Sequence, residues 1–415
     1  MIVIIGGGAA GLLAGIAATA AGVKTTILER MKRPGRKLLI TGKGRCNLTN
    51  GAEIAEIIKN IPGNGKFLNS ALRAFTNEDI RNLLEQHGCP TKQERGMRVF
   101  PVSDKAQDVV DTLVKIFEEH GGKLLTDAKV NKILVEDGKV KGVRFNKNQT
   151  MPCDKVILAA GGATYPLTGS DGSGAILAED VGHRIIPLKP SLVPLTSDWQ
   201  YTEELQGLSL RNTGATLWAD GKKIGEEFGE LLFTHFGVSG PMVLSLSNQA
   251  SRALDEGKEV ELVLDLKPAL SYEKLDERIQ RDFTEFSRKQ IVNGLSKLLP
   301  HSLIAVVLDM AYLPEDKFIN QISKTERQRL LNVLKQFVVP ITGTRPLAEA
   351  IVTAGGVAVD EINPKTMASK LVEGLYFAGE VMDVDGYTGG YNLQAAFSSG
   401  WVAGSNAAAN EKIKT

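Results

Sequence analysis

Gly6, Gly8 and Gly11 fall in the run Gly6-Gly7-Gly8-Ala9-Ala10-Gly11, the spacing G-x-G-x-x-G, and an acid, Glu29, stands 18 residues after Gly11. Residues of these types at this spacing can hold a dinucleotide. A glycine at 6 permits a tight turn out of a strand. One at 8 lets backbone approach a pyrophosphate with no Cβ in the way, and one at 11 allows a helix to lie close on the strand. The phosphates would meet free N–H groups around Ala9 and Ala10 and the positive end of the helix dipole. Glu29, with Arg30 beside it, would accept hydrogen bonds from the adenosine ribose; a charged acceptor of this kind is worth about 1.5–3 kcal/mol. The elements that must carry these groups are legible too. Ile2-Val3-Ile4-Ile5 is an apolar run of the kind buried on both faces of a parallel sheet. A helix is predicted over residues 10–21, ended by Gly22, and a second strand over 24–28. A chance glycine-rich turn is the plainer account, and the motif alone does not separate FAD from NAD.

Two distant segments favour a flavin. At 154–162, DKVILAAGG is a second buried strand running into glycines, with Ala160, Gly161 and Gly162 as candidate cofactor contacts. It follows a predicted meander, 130–134 and 140–145, joined by an Asp137-Gly138 turn; Val130, which opens it, is a further candidate. At 374–406 a strand ends in Gly379-Glu380, and a helix opens at Gly390-Tyr391-Asn392-Leu393. Small residues (Ala396, Gly400, Gly404) would let that helix pack closely on the sheet. Its N-terminus suits the N1–C2=O edge of a flavin and would stabilise charge on the reduced ring by about 0.3–2 kcal/mol. Taken singly, the first segment has an αβ loop as its plainer alternative and the second a helix docking the chain end. Together the three glycine fingers argue for one cofactor domain. No second G-x-G-x-x-G follows a strand, so no dedicated NAD(P)H domain of the disulfide-reductase kind is expected.

Composition narrows the classes. With 415 residues, 43% hydrophobic and 23% charged, the chain reads as a globular protein of two or three domains. A net charge of +1 gives no global reason to expect nucleic acid or an anionic membrane. Three widely spaced cysteines (Cys46, Cys89 and Cys153) and five scattered histidines argue against a disulfide framework and against a metal site. The apolar start, residues 1–23, lacks a basic n-region, so a cytoplasmic location is expected.

In the middle, Pro187, Pro190 and Pro194 mark an exit from the first domain. Strands are predicted at 213–218, 223–226 and 259–266, an antiparallel barrel or sandwich. Helices are predicted at 272–299 and 324–337, the second opening with a capping box of Ser323 and Glu326. Leu330, Leu331, Leu334 and Phe337 recur at helical spacing as core. The chain returns over 347–359.

Four segments then resemble a known family: RKLLITGKGRCNLTN (36–50), ERGMRVFP (94–101), LLFTHFGVSGP (231–241) and VDGYTGGYNLQAAFSSG near the C-terminus. They are similar to bacterial flavoproteins described as NAD(P)/FAD-dependent oxidoreductases, some named aminoacetone oxidase or 3-dehydro-bile acid reductase. The resemblance covers essentially the whole chain. More distantly, TGSDGSGAILAEDVGH (168–183) and GLYFAGE look like fumarate reductase and aspartate oxidase flavoproteins. The resemblance implies FAD rather than FMN, and an α/β fold. A Rossmann-like FAD-binding domain (1–190 and 346–415) would be interrupted by a β-barrel-like domain (191–270 and 338–345) carrying a helical insert (271–337).

Within the first of these segments Arg36, Lys37, Lys43 and Arg45 form a basic cluster loosened by Gly35, Gly42 and Gly44. One reading has them neutralise the phosphates and the flavin edge, with Thr41, Gly42, Cys46 and Asn47 as neighbouring contacts. The other has a solvated face or a local RNA-binding patch, although no aromatic residue interleaves to stack bases. For catalysis the flavin does the electron chemistry, with a small-molecule substrate over its ring beneath the middle domain. His235 is the best acid–base candidate, a hydrogen-bonded structural histidine being the plainer alternative. Arg98 is a candidate substrate clamp or a structural ion pair; Tyr387 and Tyr391 line the pocket or simply pack. With no second cysteine near it in sequence, Cys46 is not expected to form a redox disulfide. Two catalytic schemes follow: NAD(P)H reduces the flavin, which reduces a conjugated C=C; or an amine or amino-ketone reduces it and oxygen reoxidises it. A third class is a non-catalytic flavin-binding or RNA-interacting module. Neither nucleic acid nor membrane is expected as partner, and the oligomeric state is open.

Overall fold

A computed structural model describes residues 1–409 of the chain, which divides into two compact units, Met1–Ser191 with Leu347–Thr415, and Leu192–Pro346. The first unit is built on a five-stranded parallel sheet. Its order is Leu375–Phe377, Lys155–Leu158, Ile2–Ile5, Thr25–Leu28, Lys123–Leu125. Ile2–Ile5 and Thr25–Leu28 are buried at every position, as strands covered on both faces must be. The chain builds outward from Ile2–Ile5 on one side and then crosses to the other, so a topological switch point lies beside that first strand, the usual binding crevice of such sheets.

The first helix, Ala9–Ala20, and the last, Tyr391–Ala409, lie against each other. A Cβ added at Gly400 would fall 2.3 Å from the Ala10 carbonyl oxygen, and one at Gly404 2.1 Å from that of Ala14. The small residues of the last helix therefore serve contact with the first helix, where the sequence reading had assigned them to the sheet. Glycine is needed there because the obstacle is backbone, which cannot swing aside.

The meander is present as Val130–Glu136, Lys139–Phe145 and Gln149–Pro152, turned at Asp137 (φ 49°) and Gly138 (φ 71°). Both central residues are left-handed, as a tight two-residue hairpin requires. Two small antiparallel sheets complete the unit: Thr49–Asn50 and Thr91–Gln93 either side of Arg98–Pro101, and Ile185–Ser191 with Val352–Val357.

The second unit carries a seven-stranded antiparallel sheet. Its order is Phe337–Ile341, Val260–Asp265, Ser209–Ala219, Lys222–Thr234, Gly237–Ser239, Leu195–Thr196, Gly343–Thr344. The two edge strands are separated in sequence by Thr342 alone, so the sheet must curl until its edges meet; that is the barrel-like form. Alternate residues Thr213, Ala215, Leu217 and Ala219 face inward. The helix Pro241–Asp255, absent from the sequence reading, packs Met242, Leu246 and Ala250 into the same core. Proline at its first turn is a usual start signal.

The long helix predicted over 272–299 is instead Tyr272–Glu285 and a short Ile291–Gly294, followed by His301–Met310. Gln290 forms a bridge to Phe318 that interrupts the run, and Pro300 caps the third piece. Lys324–Lys335 opens with the capping box: Ser323 Oγ accepts from Glu326 N (3.2 Å), and Ser323 N donates to Glu326 Oε2 (2.9 Å). Lys317 chiefly, then the Ser323 amide, hold the Glu326 carboxyl down to about 2. Leu275, Ile279, Leu303, Leu330 and Leu334 share one core with Leu262, Leu264 and Phe337 of the sheet.

Candidate cofactor site

The first strand ends in a turn that only glycines allow. Gly6 is left-handed (φ 103°), and a Cβ there would lie 2.5 Å from the Ala159 carbonyl oxygen; a Cβ at Gly11 would lie 1.9 Å from that of Gly6. Gly8, by contrast, faces open space at the start of the first helix. That start presents the amides of Ala9, Ala10 and Gly11, which have no partner within the helix. It is a ready anion site.

Glu29 is buried, and its carboxylate is already engaged. Oε2 accepts from Gly7 N (2.7 Å) and Oε1 from Met31 N (2.7 Å). Burial pushes its pKa up, and the two amides pull against that. Each oxygen keeps a lone pair for a ligand hydroxyl. Its backbone oxygen receives the Ala128 amide (2.9 Å), which brings the meander, opening at buried Val130, beside it. Arg30 forms an ion pair with Asp171.

The second finger, Ala160 to Gly162, leaves the strand Lys155–Leu158 and touches the first through Ala159 and Gly6. The third meets the first helix: a Cβ on Gly379 would come 2.8 Å from that of Ala10, and Gly379 N donates to Ser399 Oγ (3.0 Å). Glu380 is held by three segments. Lys37 Nζ donates to both its oxygens (3.0 and 2.7 Å), Thr353 N donates to Oε1 (2.8 Å), and Thr164 Oγ1, itself bonded by Lys37 (2.7 Å), lies 3.5 Å from Oε1. Thus three remote glycine segments come together where parallel strands end.

The loop before the last helix is organised locally. Asn392 accepts from Gly386 N and donates to Gly386 O, both 2.8 Å. A Cβ on Gly390 would fall 2.4 Å from the Thr49 carbonyl, and the Asn47 amide, suitably oriented, reaches Thr49 O (3.2 Å) and Gly390 N (3.1 Å). Tyr391 and Leu393 are half-buried, the Tyr391 phenol raised in pKa by burial. Thr41 Oγ1 donates to Leu38 O (2.7 Å), and Gly42 is left-handed.

The residues at Arg36–Gly44 and just beyond make contacts within the chain that the sequence did not show. Lys37 is paired with Glu380, and Arg45 with Glu94 and Asp104 while lying over the Phe100 ring (4.2 Å). Neither is the free phosphate cation the cluster suggested; Arg36 and Lys43 remain exposed. Cys46 is fully buried, its thiol pushed up to about 12 by desolvation. Arg98 is exposed, its Nε donating to Arg95 O (3.1 Å). His235 is exposed too, in the turn between Lys222–Thr234 and Gly237–Ser239, edge-on to Phe236 (5.0 Å). The two fall in different units.

Residues 1–406 match the family described as HI0933-like protein Rossmann domain. The chain belongs to the HI0933-like family. Among its relatives are a 3-dehydro-bile acid delta(4,6)-reductase of Clostridium scindens, 32% identical across 98% of both chains. Another is a ribosomal RNA dihydrouridine synthase of Escherichia coli, 33% identical across 96% of both. A flavocytochrome c3 fumarate reductase shares the fold at TM-score 0.54, with 18% identity over 99% of this chain and 78% of that one. So does a 3-ketosteroid-delta4-(5alpha)-dehydrogenase of Rhodococcus jostii, at 0.53, with 16% identity over 98% and 96%.

For this HI0933-like chain a dinucleotide fits the residues present. The space before Gly8 is clear of protein, and the lone pairs of Glu29 lie beside the same turn. Thr164 and Thr353, both buried, escaped the sequence reading. The signal for Thr353 was a lone polar residue inside the apolar run 350–354. Among the described residues no His/Cys/Asp/Glu group could hold a metal, and no helix is long and apolar enough to cross a membrane.

Proposed function

We propose that this chain is an FAD-dependent oxidoreductase that passes a hydride from NAD(P)H, by way of the flavin, to a C=C bond conjugated to a carbonyl, and that this bond lies in a uracil ring of structured RNA. The observation that carries the cofactor is the meeting of the three glycine fingers around an open helix start. Bound there, FAD would supply the two-electron chemistry. The chain's own groups bind and orient. The amides at Ala9 to Gly11 take the pyrophosphate, Glu29 takes the ribose hydroxyls, and Lys37 fixes Glu380 at the strand end. In the net reaction one alkene carbon gains the hydride and the other a proton, while NAD(P)H leaves as NAD(P)+.

The chemistry is supported by two relatives whose names denote the same change, saturation of a C=C next to a carbonyl, once in a steroid nucleus and once in uridine. Exposed cations support RNA. The Arg45–Glu94 ion pair ties the segment carrying Arg36 and Lys43 to that carrying Arg95 and Arg98, all four exposed. The near-zero net charge and the lack of an interleaved aromatic had weighed against nucleic acid; they do not weigh against a local patch of this kind. A steroid-like enone is the second reading, supported by the C. scindens relative at similar identity.

The test is single turnover. Enzyme reduced anaerobically with NADPH is mixed with ribosomal RNA from cells deleted for this gene, or with a 3-keto-4-ene steroid. RNA should restore the oxidised flavin band and gain dihydrouridine, and binding should weaken with salt less steeply in an Arg36→Ala/Lys43→Ala variant. Reoxidation by the steroid alone overturns the RNA assignment; reoxidation by neither overturns the enone chemistry.

A further inference from the structure

Ser170 is 5% exposed, and its hydroxyl meets no protein donor or acceptor among the described residues. Buried hydroxyls are rarely left so, because the group has given up water without replacement. The loop around it is firmly held. Gly169 (φ 105°) and Gly172 (φ 82°) flank the pair Ser170-Asp171; Gly172 N donates to Gly162 O (2.9 Å), and Asp171 is paired with Arg30. A Cβ on Gly169 would come 3.0 Å from Met31 Cγ, and one on Gly161 would come 3.0 Å from Ser170 Oγ. The hydroxyl therefore sits against the second glycine finger, while its neighbour Gly169 lies against Met31 in the segment that follows Glu29. It faces a glycine that has no side chain to fill the space.

We infer that the Ser170 hydroxyl binds the ADP half of the cofactor, an inference that rests on the FAD reading above. The neighbours choose the half. Glu29, two residues before the Met31 that this loop lies against, stands where the dinucleotide fingerprint takes the ribose. A serine hydroxyl there donates to a phosphoryl or ribose oxygen. No protein group partners it, so a bond to the cofactor displaces none within the chain.

The test uses flavin-stripped protein, titrated with FAD and separately with ADP by calorimetry, as wild type, Ser170→Ala and Ser170→Cys. Both variants should bind FAD and ADP about 5–50-fold more weakly. Their unliganded Tm should be unchanged or higher, since each removes an unpaired buried hydroxyl, a signature that general damage to the loop would reverse. Unchanged FAD affinity overturns the inference, as does weakened FAD binding with unchanged ADP binding. If the alanine variant fails to fold, the cysteine variant, close in volume and a much weaker donor, gives the same reading. Wild-type protein that binds no FAD overturns the cofactor reading itself, which is a separate result.

Discussion

Glu29 has one task within the chain and a second, proposed, toward a ligand. Its oxygens clamp the amides of Gly7 and Met31, tying the glycine turn to the end of the second strand, and the lone pairs left over face the same turn. An amide in its place puts an NH2 group against one of those N–H donors. Glu29→Gln should therefore weaken FAD binding by about 10–100-fold although the shape is conserved. Flavin fluorescence titration measures this, and equal affinity would move the ribose contact elsewhere. Gly6, Gly8, Gly11 and Glu29 were legible in the sequence because spacing alone specifies them. The partners of Lys37 and Arg45 were not. Glu380 lies 343 residues from Lys37, and no local pattern records which carboxylate a cation meets. The burial of Cys46 was illegible for the same reason: its motif is distinctive, but its burial comes from packing.

Among the elements, the contact between first and last helix couples packing to the site. Gly400 stands against the carbonyl of Ala10, a residue of the glycine turn. Gly400→Ala forces the helices apart and should cost about 1–3 kcal/mol. It should also weaken FAD binding, because Ala10 moves with the helix start. Chemical denaturation and FAD titration of the same variant check this; lost stability with intact affinity would uncouple the two. Strong patterns read well at this scale: Ile2–Ile5, the Asp137-Gly138 hairpin and the Ser323/Glu326 cap all formed as the residues indicate. The 272–299 stretch did not, since its interruption depends on a bridge to Phe318, a contact outside the helical repeat.

At the scale of the molecule, the cofactor site is set by where the parallel strands end. Gly6, Ala159 and Gly379 come from the start, middle and end of the chain, yet each abuts another finger or the first helix. Such an arrangement brings backbone, rather than side chains, up to an extended anionic cofactor. Three glycine-rich stretches in the sequence hinted at this convergence; only the sheet order shows it beside the first strand. The most direct measurement is an anaerobic NADPH titration of the purified protein after incubation with FAD. The protein should be yellow, and its flavin band should bleach with about one equivalent of NADPH or NADH, a two-electron exchange. A colourless protein that takes up no FAD would contradict the FAD assignment.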